Sequence, residues 1–261
     1  MSCFLERVTI ESFDLSEIPT GTLLTVNESR IGVAAPLAGF SLETTEQARA
    51  QLNALSSDLV ATSLSAAEVG RLPLLPSVMW ALQSALLPQA PATCAIQGLL
   101  VGGDVPDCSI LKVKVGDFSI DQVLELVERL PMRLRLDFNQ KWSFEKATAL
   151  AETISWEKVD YFEEPLNEPE ELADFPYPIA LDETLRQWHL EKIKALENVA
   201  ALVLKPTLLG NVLPYTKLGL PIVLSSCFEG AEGVECLARL AHHLGIADEP
   251  QGLDTVKCMT L

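Results

Sequence analysis

Short apolar runs rich in β-branched residues recur after residue 93, and most of them are followed by a stretch with helical periodicity. The strand-like runs are Cys94–Val101, Ile110–Val115, Arg133–Phe138, Val159–Phe162, Ile179–Leu181, Leu202–Leu204 and Ile222–Leu224. Helical stretches include Ser119–Leu130, Ser143–Ile154 and Ala231–Leu244. Strands that alternate with helices are typical of a parallel sheet. Seven such strands, with an irregular segment near Asp248–Thr255, favour a (β/α) barrel over an open sheet.

The N-terminal third has a different pattern. Its strand-like runs are Leu5–Ile10 and Thr22–Val26, and its helical stretches are Thr44–Leu55 and Ser77–Leu87. Thr44 or Thr45 is the expected N-cap of the first helix. Because Leu87–Pro91 has the composition of a linker, we predict a capping domain at 1–92 and a barrel at 93–261, with the last residues returning toward the cap.

Polar side chains stand where the predicted barrel strands end. Side chains alternate across a strand, so Lys112 and Lys114 share one face, as do Arg135 and Asp137 on the next strand. At intervals of about one βα unit the series continues with Glu163, Asp182, Lys205 and Ser225. The carboxyl-terminal ends of barrel strands are where chemistry is located, so this spacing predicts an active site there.

The residue types in this series indicate metal-dependent proton abstraction. Asp137, Glu163 and Asp182 offer the hard oxygen ligands that Mg²⁺ prefers, and Mn²⁺ is also possible. A lysine near another lysine and a divalent cation loses some preference for its charged form, so a neutral amine becomes available as a base. A metal on a carboxylate stabilises the charge that develops when the neighbouring α-proton is removed.

The sequence around these residues resembles the o-succinylbenzoate synthases of the enolase superfamily, which combine a basic residue with Mg²⁺. The matching segments are Lys112–Gly116, Leu136–Trp142, Phe162–Pro165, Leu181–Leu185, Leu204–Leu208, Ser225–Glu229, Pro36–Thr44 and Gly252–Thr255. The resemblance implies an α/β fold, with a (β/α) barrel of the enolase type and a reduced α+β capping domain. It also implies that Asp137, Glu163 and Asp182 are the metal ligands.

The resemblance further implies roles for the lysines and a reaction. Lys114 would be the general base and then assist departure of a hydroxyl group, Lys205 would stabilise the enediolate, and Lys112 would contact the substrate carboxylate. The residues implied to contact or orient the substrate are Ser225, Ser226, Asn139, Gly39 and Phe40. The implied reaction is the dehydration of 2-succinyl-6-hydroxy-2,4-cyclohexadiene-1-carboxylate to o-succinylbenzoate in menaquinone biosynthesis.

The capping region departs from the family pattern. The family's Gly-x-Glu is replaced by a sequence that begins Gly32-Val33 and lacks the glutamate, and the first flexible capping loop is predicted to be short, at about Asp14–Thr20, without an arginine. These departures bear on the identity of the substrate more than on the chemistry of the barrel.

Other functions and another fold were considered for the same residues. A racemase, epimerase or cycloisomerase of the same superfamily would use the same metal and two lysines. A Schiff-base aldolase acting through Lys114 or Lys205 would leave the three carboxylates unexplained. A dinucleotide-binding fold would need a glycine-rich fingerprint, which follows none of these strands.

The amino-acid composition limits the kinds of molecule that the protein is expected to bind. The 261 residues include 19 Lys and Arg against 36 Asp and Glu, a net charge of −17, which disfavours nucleic acid and anionic membranes. The six cysteines form no CxxC pair, and the chain shows neither a secretory signal nor a long apolar run. We therefore expect a soluble cytoplasmic enzyme with free thiols that acts on a small carboxylate.

Overall fold

The computed structural model describes residues 2–100 and 105–255. Within these ranges the chain forms two compact units. The first unit contains residues 2–95, 204–214 and 224–255, and the second contains 96–100, 105–203 and 215–223. The division into domains at 1–92 and 93–261 remains a prediction.

The N-terminal part of the first unit combines antiparallel strands with helices. The elements are β1 (Arg7–Thr9), β2 (Phe13–Ile18), β3 (Gly21–Val26), β4 (Arg30–Ala34), α1 (Thr45–Leu59), β5 (Ser63–Ser65), α2 (Ala66–Val69) and α3 (Pro76–Leu86). Strands β2, β3 and β4 form one sheet, and β1 pairs with β5. Helix α1 begins after Thr44, whose side chain and backbone form a capping box with Gln47, as the sequence predicted for this N-cap.

The prediction of a flexible loop at about Asp14–Thr20 was wrong. Most of it is strand β2, which forms a hairpin with β3 in which Phe13 pairs with Val26 and Leu15 with Leu24. The apolar residues alternate with exposed Asp14 and Ser16, so the solvent-facing half of the strand gave the segment its loop-like composition.

A parallel sheet forms the centre of the second unit. Its elements are β6 (Gly98–Leu99), β7 (Ile110–Lys114), α4 (Ile120–Arg129), β8 (Arg133–Asp137), α5 (Phe144–Ala151), β9 (Val159–Glu163), β10 (Ile179–Leu181), α6 (Leu190–Lys194), β11 (Val199–Leu204) and β12 (Ile222–Leu224). In the described chain the order is β12-β11-β10-β9-β8-β7-β6. Each of the seven predicted runs overlaps one of these strands, but β9 continues to Glu163 and β11 begins before its run, at Val199. Val101, at the end of the first run, lies outside the described residues.

The remaining helices of the first unit are α7 (Pro206–Leu209) and α8 (Gly230–Leu244). After α8, the amide of Gly252 donates to the carbonyl oxygen of Leu224 (2.8 Å), and the amide of Gln251 donates to that of Ala95 (2.9 Å). Gln251 and Gly252 thus join the end of β12 to the residues just before β6. Both residues lie in the segment that the sequence predicted to be irregular, and neither belongs to one of the strands given above.

Two further findings concern residues outside the site. Among the described residues, no helix combines the length and the apolar character that crossing a bilayer requires. Five cysteines are thiols and not disulfides in this part of the chain, namely Cys3, Cys94, Cys108, Cys227 and Cys236. The sixth, Cys258, lies outside the described residues.

Candidate active site

Parallel register brings the first three predicted site residues side by side in the second unit. Lys114 pairs with Asp137 across β7 and β8, and Asp137 pairs with Glu163 across β8 and β9. Glu163 in turn pairs with Ala180 of β10, so Asp182 follows two residues further along the same face. The three carboxylates are almost completely buried, with exposed fractions of 1%, 1% and 4%.

Lys112 is a buried cation within this group. Its Nζ donates to Oε1 of Glu163 at 2.5 Å and lies 3.0 Å from Oδ2 of Asp137. Burial alone would lower the pKa of Lys112, but the carboxylates of Glu163, Asp137 and Asp182 outweigh burial and raise this pKa well above its usual range. The side chain is therefore a fixed ammonium that orients two of the predicted metal ligands.

Lys114 differs from Lys112 although both lie on the same face of β7. Its side chain is exposed, and it makes no hydrogen bond or ion pair with any described residue. Because Lys114 lies beside Asp137 in the register, it can meet a ligand at the edge of the carboxylate group. A solvent-accessible amine without a carboxylate partner is the better placed of the two lysines to exchange protons with a substrate.

The donor chemistry of the three carboxylates fits a hard divalent cation. They are buried oxygen ligands at the ends of adjacent parallel strands, and Mg²⁺ is usually held by one or two protein carboxylates together with waters and substrate. As the side chains are placed, no three His, Cys, Asp or Glu residues of the described chain are close enough together to hold an ion. Lys112 instead draws Asp137 and Glu163 toward its own ammonium group, so an ion would share these oxygens with Lys112.

Glu164, to which the sequence analysis assigned no role, supports the group of three carboxylates. Its Oε1 accepts hydrogen bonds from the amides of Asp182 (2.7 Å) and Thr184 (2.8 Å). Its Oε2 accepts from the Thr184 hydroxyl (2.7 Å) and from Gln140 Nε2 (2.9 Å). Burial raises the pKa of Glu164 to about 7, against the opposing effect of these hydrogen bonds. Glu164 thereby fixes the backbone that carries Asp182.

Left-handed backbone conformations cluster at the strand ends that carry these residues. Asn139 (φ 48°), Gln140 (φ 57°) and Glu164 (φ 42°) have positive φ angles without being glycine. Such conformations cost about 1–2 kcal/mol per residue and persist only where neighbouring contacts fix them. The amide of Asn139 donates to Oδ1 of Asp137 at 3.0 Å, so the strained turn after β8 also orients a predicted ligand. A substrate contact of Asn139 remains a prediction.

The other predicted catalytic and substrate-binding residues lie in the first unit. Lys205 is half-buried at the start of α7, where its carbonyl oxygen accepts from the amides of Leu208 and Leu209. Ser225 and Ser226 are buried. The Ser226 hydroxyl donates to Oε2 of Glu229 at 2.7 Å, so it already has a partner within the protein. The catalytic role of Lys205 and the substrate contacts of both serines remain predictions.

A cavity of about 390 Å³ lies in the first unit. The tip of the β2–β3 hairpin, the start of α1 and the residues Cys227 and Phe228 contribute to its wall. Pro36 and Leu37 also line it, whereas Gly39 and Phe40, from the same loop, do not, and both are exposed. Their contact with a substrate remains a prediction.

Comparison with known proteins identifies relatives that cover most of the chain. The family described as enolase C-terminal domain-like matches residues 97–218. The o-succinylbenzoate synthase of Proteus mirabilis is 34% identical, and the match covers 86% of this chain and 78% of that protein. The o-succinylbenzoate synthase of Vibrio cholerae (strain M66-2) is 35% identical, and the match covers 86% of this chain and 77% of that protein.

Solved structures share the fold at lower identity. An o-succinylbenzoate synthase from Thermosynechococcus elongatus, with magnesium in its active site, matches with a TM-score of 0.65 and 21% identity over 95% of this chain and 90% of that chain. The muconate lactonizing enzyme of Pseudomonas putida matches with a TM-score of 0.67 and 19% identity over 94% and 86%. These matches confirm the predicted barrel fold with a capping domain.

Proposed function

Because the chain belongs to the o-succinylbenzoate synthase family of the enolase superfamily, we propose that it catalyses the dehydration that produces o-succinylbenzoate. The substrate would be 2-succinyl-6-hydroxy-2,4-cyclohexadiene-1-carboxylate. The observation that carries the proposal is the arrangement of Lys114 beside buried Asp137 and Glu163 on neighbouring strands. A base next to a carboxylate group able to hold a cation is what α-proton removal requires.

Asp137, Glu163 and Asp182 would hold the divalent cation, Mg²⁺ or Mn²⁺. When bound, the cation supplies positive charge to the substrate carboxylate as the α-proton leaves. Lys112 contributes a fixed positive charge to the same group and orients Asp137 and Glu163. A direct contact between Lys112 and the substrate carboxylate is part of the proposal.

The protein's own residues account for the proton balance of a dehydration. The Nζ amine of Lys114 takes the α-proton as the C–H bond breaks, and the electron pair moves into the neighbouring carboxylate group to give a dianion. When the C–O bond to the hydroxyl breaks, this pair forms the new double bond of the aromatic ring. The Lys114 ammonium gives its proton to the departing hydroxyl, so water leaves and the Lys114 amine is restored. Lys205 supplies positive charge to the developing dianion and exchanges no proton in this reaction.

The alternative within the superfamily is a racemase, epimerase or cycloisomerase. In a racemisation both Lys114 and Lys205 must exchange protons with the α-carbon, whereas in the dehydration only Lys114 does. Exchange of the α-proton therefore separates the two reactions, because each assigns a different task to Lys205.

The deciding experiment measures formation of the aromatic product from the cyclohexadiene carboxylate beside α-proton exchange in D₂O on N-succinyl amino acids and dipeptides. We expect efficient product formation that stops in EDTA and returns with Mg²⁺ or Mn²⁺. Efficient exchange without aromatic product would reject the dehydratase and favour the racemase. Full activity in EDTA, together with a substrate adduct trapped by borohydride, would favour a Schiff-base aldolase.

A further inference from the structure

A buried carboxylate of the first unit, Glu229, follows strand β12. Its side chain is completely buried. Oε1 accepts a hydrogen bond from the hydroxyl of Thr207 at 2.9 Å. Oε2 accepts two, from the Ser226 hydroxyl and the Cys227 amide, both at 2.7 Å. Burying a carboxylate is costly unless its hydrogen bonds are made, and here each oxygen has at least one donor.

The backbone of Glu229 meets a third segment. Its carbonyl oxygen accepts from the hydroxyl of Thr20 at 2.8 Å, at the tip of the hairpin formed by β2 and β3. Thr20, Cys227 and Phe228 all line the cavity of about 390 Å³. A single residue therefore bonds to the hairpin tip, to the start of α7 and to the loop after β12.

The loop that Glu229 holds is strained. Phe228 has a left-handed backbone conformation (φ 65°), whereas Gly230 (φ 82°) adopts a positive φ without strain because it has no Cβ. The amide of Phe228 donates to the Ser226 hydroxyl oxygen at 3.2 Å, and that hydroxyl donates to Glu229. Strain of this kind persists where the surrounding bonds over-determine the conformation, and it is concentrated at functional sites. The carboxylate of Glu229 is therefore the final acceptor for the hydrogen bonds that hold Ser226, Cys227 and Phe228.

Thr207 connects Glu229 to the backbone of Lys205. Thr207 is completely buried in the first turn of α7, two residues after Lys205. Because β-branched side chains have restricted χ1 angles, the bond from its hydroxyl to Glu229 fixes the backbone of this turn. The same turn holds the carbonyl group of Lys205 through the amides of Leu208 and Leu209.

We propose that Glu229 is a positioning residue that sets the placement of Lys205 through Thr207 and the placement of the cavity wall, Cys227–Phe228, through its own loop. It touches no reacting atom in this scheme. The inference rests on the proposed function for the catalytic task of Lys205, while the placement of the two segments is measurable without any reaction.

Two matched substitutions separate the two connections of Glu229. Thr207→Val removes the hydroxyl on the Lys205 side, and we expect kcat to fall about tenfold with KM nearly unchanged, because small misplacements of a catalytic group are costly. Thr20→Val removes the hydroxyl on the cavity side, and we expect KM to rise several-fold with kcat nearly unchanged. The control is Thr148→Val on α5, since the buried Thr148 hydroxyl has no hydrogen-bond partner in the described chain.

The carboxylate itself is tested by a conservative replacement. In Glu229→Gln the amide oxygen can still accept from Ser226 and Cys227, and the amide NH₂ can donate to the Thr207 hydroxyl, which also accepts hydrogen bonds. We therefore expect Glu229→Gln to keep kcat and KM close to wild type. Glu229→Ala should lower kcat and raise KM together, while a loss in Glu229→Gln as large as in Glu229→Ala would overturn the hydrogen-bond argument.

Amide hydrogen exchange provides the readout that does not depend on turnover. We expect Thr207→Val to speed exchange at Leu208 and Leu209, and Glu229→Ala to speed exchange at Cys227 as well. If the wild-type protein does not turn over the precursor, the proposed function fails, and these exchange rates still decide the inference. The positioning role of Glu229 would be wrong if Thr207→Val and Glu229→Ala exchanged these amides at the wild-type rates. It would also be wrong if Thr207→Val and Thr20→Val changed kcat and KM no more than the control Thr148→Val does.

Discussion

Two buried carboxylates, Glu164 in the second unit and Glu229 in the first, support candidate site residues in different ways. Both follow a parallel strand, both are completely buried, and each accepts a hydrogen bond from a buried threonine, Thr184 or Thr207. They differ in where their other partners come from. Glu164 bonds across the ends of three neighbouring strands, whereas most partners of Glu229 lie in its own loop.

This difference separates two ways of building a site. In the second unit the register of the sheet fixes Asp137, Glu163 and Asp182, and Glu164 adds bonds along the edge that the register already defines. In the first unit the loop that carries Glu229 has no such template, and a left-handed Phe228 is held by local bonds. The comparison predicts that replacing Glu164 in the second unit weakens metal binding, whereas replacing Glu229 in the first unit alters the placement of Lys205 and of the cavity wall.

The largest effect is expected at Lys114. Lys114→Ala should reduce kcat/KM for the dehydration by about 10³- to 10⁴-fold, because general acid–base groups contribute up to about 10⁴-fold. Metal binding, measured by calorimetry with Mg²⁺, should remain close to wild type because Lys114 makes no bond to the described carboxylates.

Two variants accompany this measurement. Asp182→Asn should weaken Mg²⁺ binding as well as turnover, since it alters a predicted ligand. Lys192→Ala removes an exposed lysine of the same unit, which pairs with Glu170 at 3.6 Å, and should change neither quantity. Near-normal turnover in Lys114→Ala would show that another residue is the base.

A smaller effect is expected when Glu164 is replaced by glutamine. Outer-shell partners of metal ligands typically contribute about 10- to 100-fold to metal affinity, and we expect a loss of this size for Mg²⁺ in Glu164→Gln. In Glu164→Gln the new NH₂ group would face the NH₂ group of Gln140, and two donors cannot form a hydrogen bond. In Glu229→Gln the new NH₂ group would face the Thr207 hydroxyl, which can accept a hydrogen bond. Glu229→Gln should therefore leave Mg²⁺ affinity unchanged. Equal losses in the two variants would remove the distinction between the two carboxylates.

The sequence predicted the elements that follow from periodicity. Each of the seven strands of the described parallel sheet overlaps a predicted run, because apolar strands alternate with amphipathic helices at regular intervals. The neighbouring positions of Lys114, Asp137 and Glu163 follow from the same regularity. The different burial of Lys112 and Lys114 does not follow from it, because two lysines on one face of a strand have the same pattern. Their different roles were implied only by the family resemblance and remain predictions.

The hydrogen-bond partners of the supporting carboxylates were beyond sequence reasoning. Glu164 and Glu229 stand in segments that resemble the family, yet their threonine partners lie about one βα unit away along the chain. Those contacts depend on left-handed turns at Gln140, Glu164 and Phe228, which side-chain type alone does not indicate. Strand β2 was missed for a related reason, since its polar residues occupy the exposed face.

The smallest expected effect tests whether hydrogen bonds or ring packing hold the loop of Glu229. Replacing Phe228 by glycine removes a left-handed strain of about 1 kcal/mol, and the greater freedom of glycine in the unfolded chain offsets a similar amount. Phe228 as a residue is 41% exposed, so we expect the free energy of unfolding in urea to change by less than about 1 kcal/mol. Gly39→Ala, at φ 82° with no heavy atom within 4 Å of the added carbon, should lose about 1 kcal/mol from backbone strain alone. A loss well above 2 kcal/mol in Phe228→Gly would mean that the packing of the ring, and not the carboxylate of Glu229, keeps this loop in place.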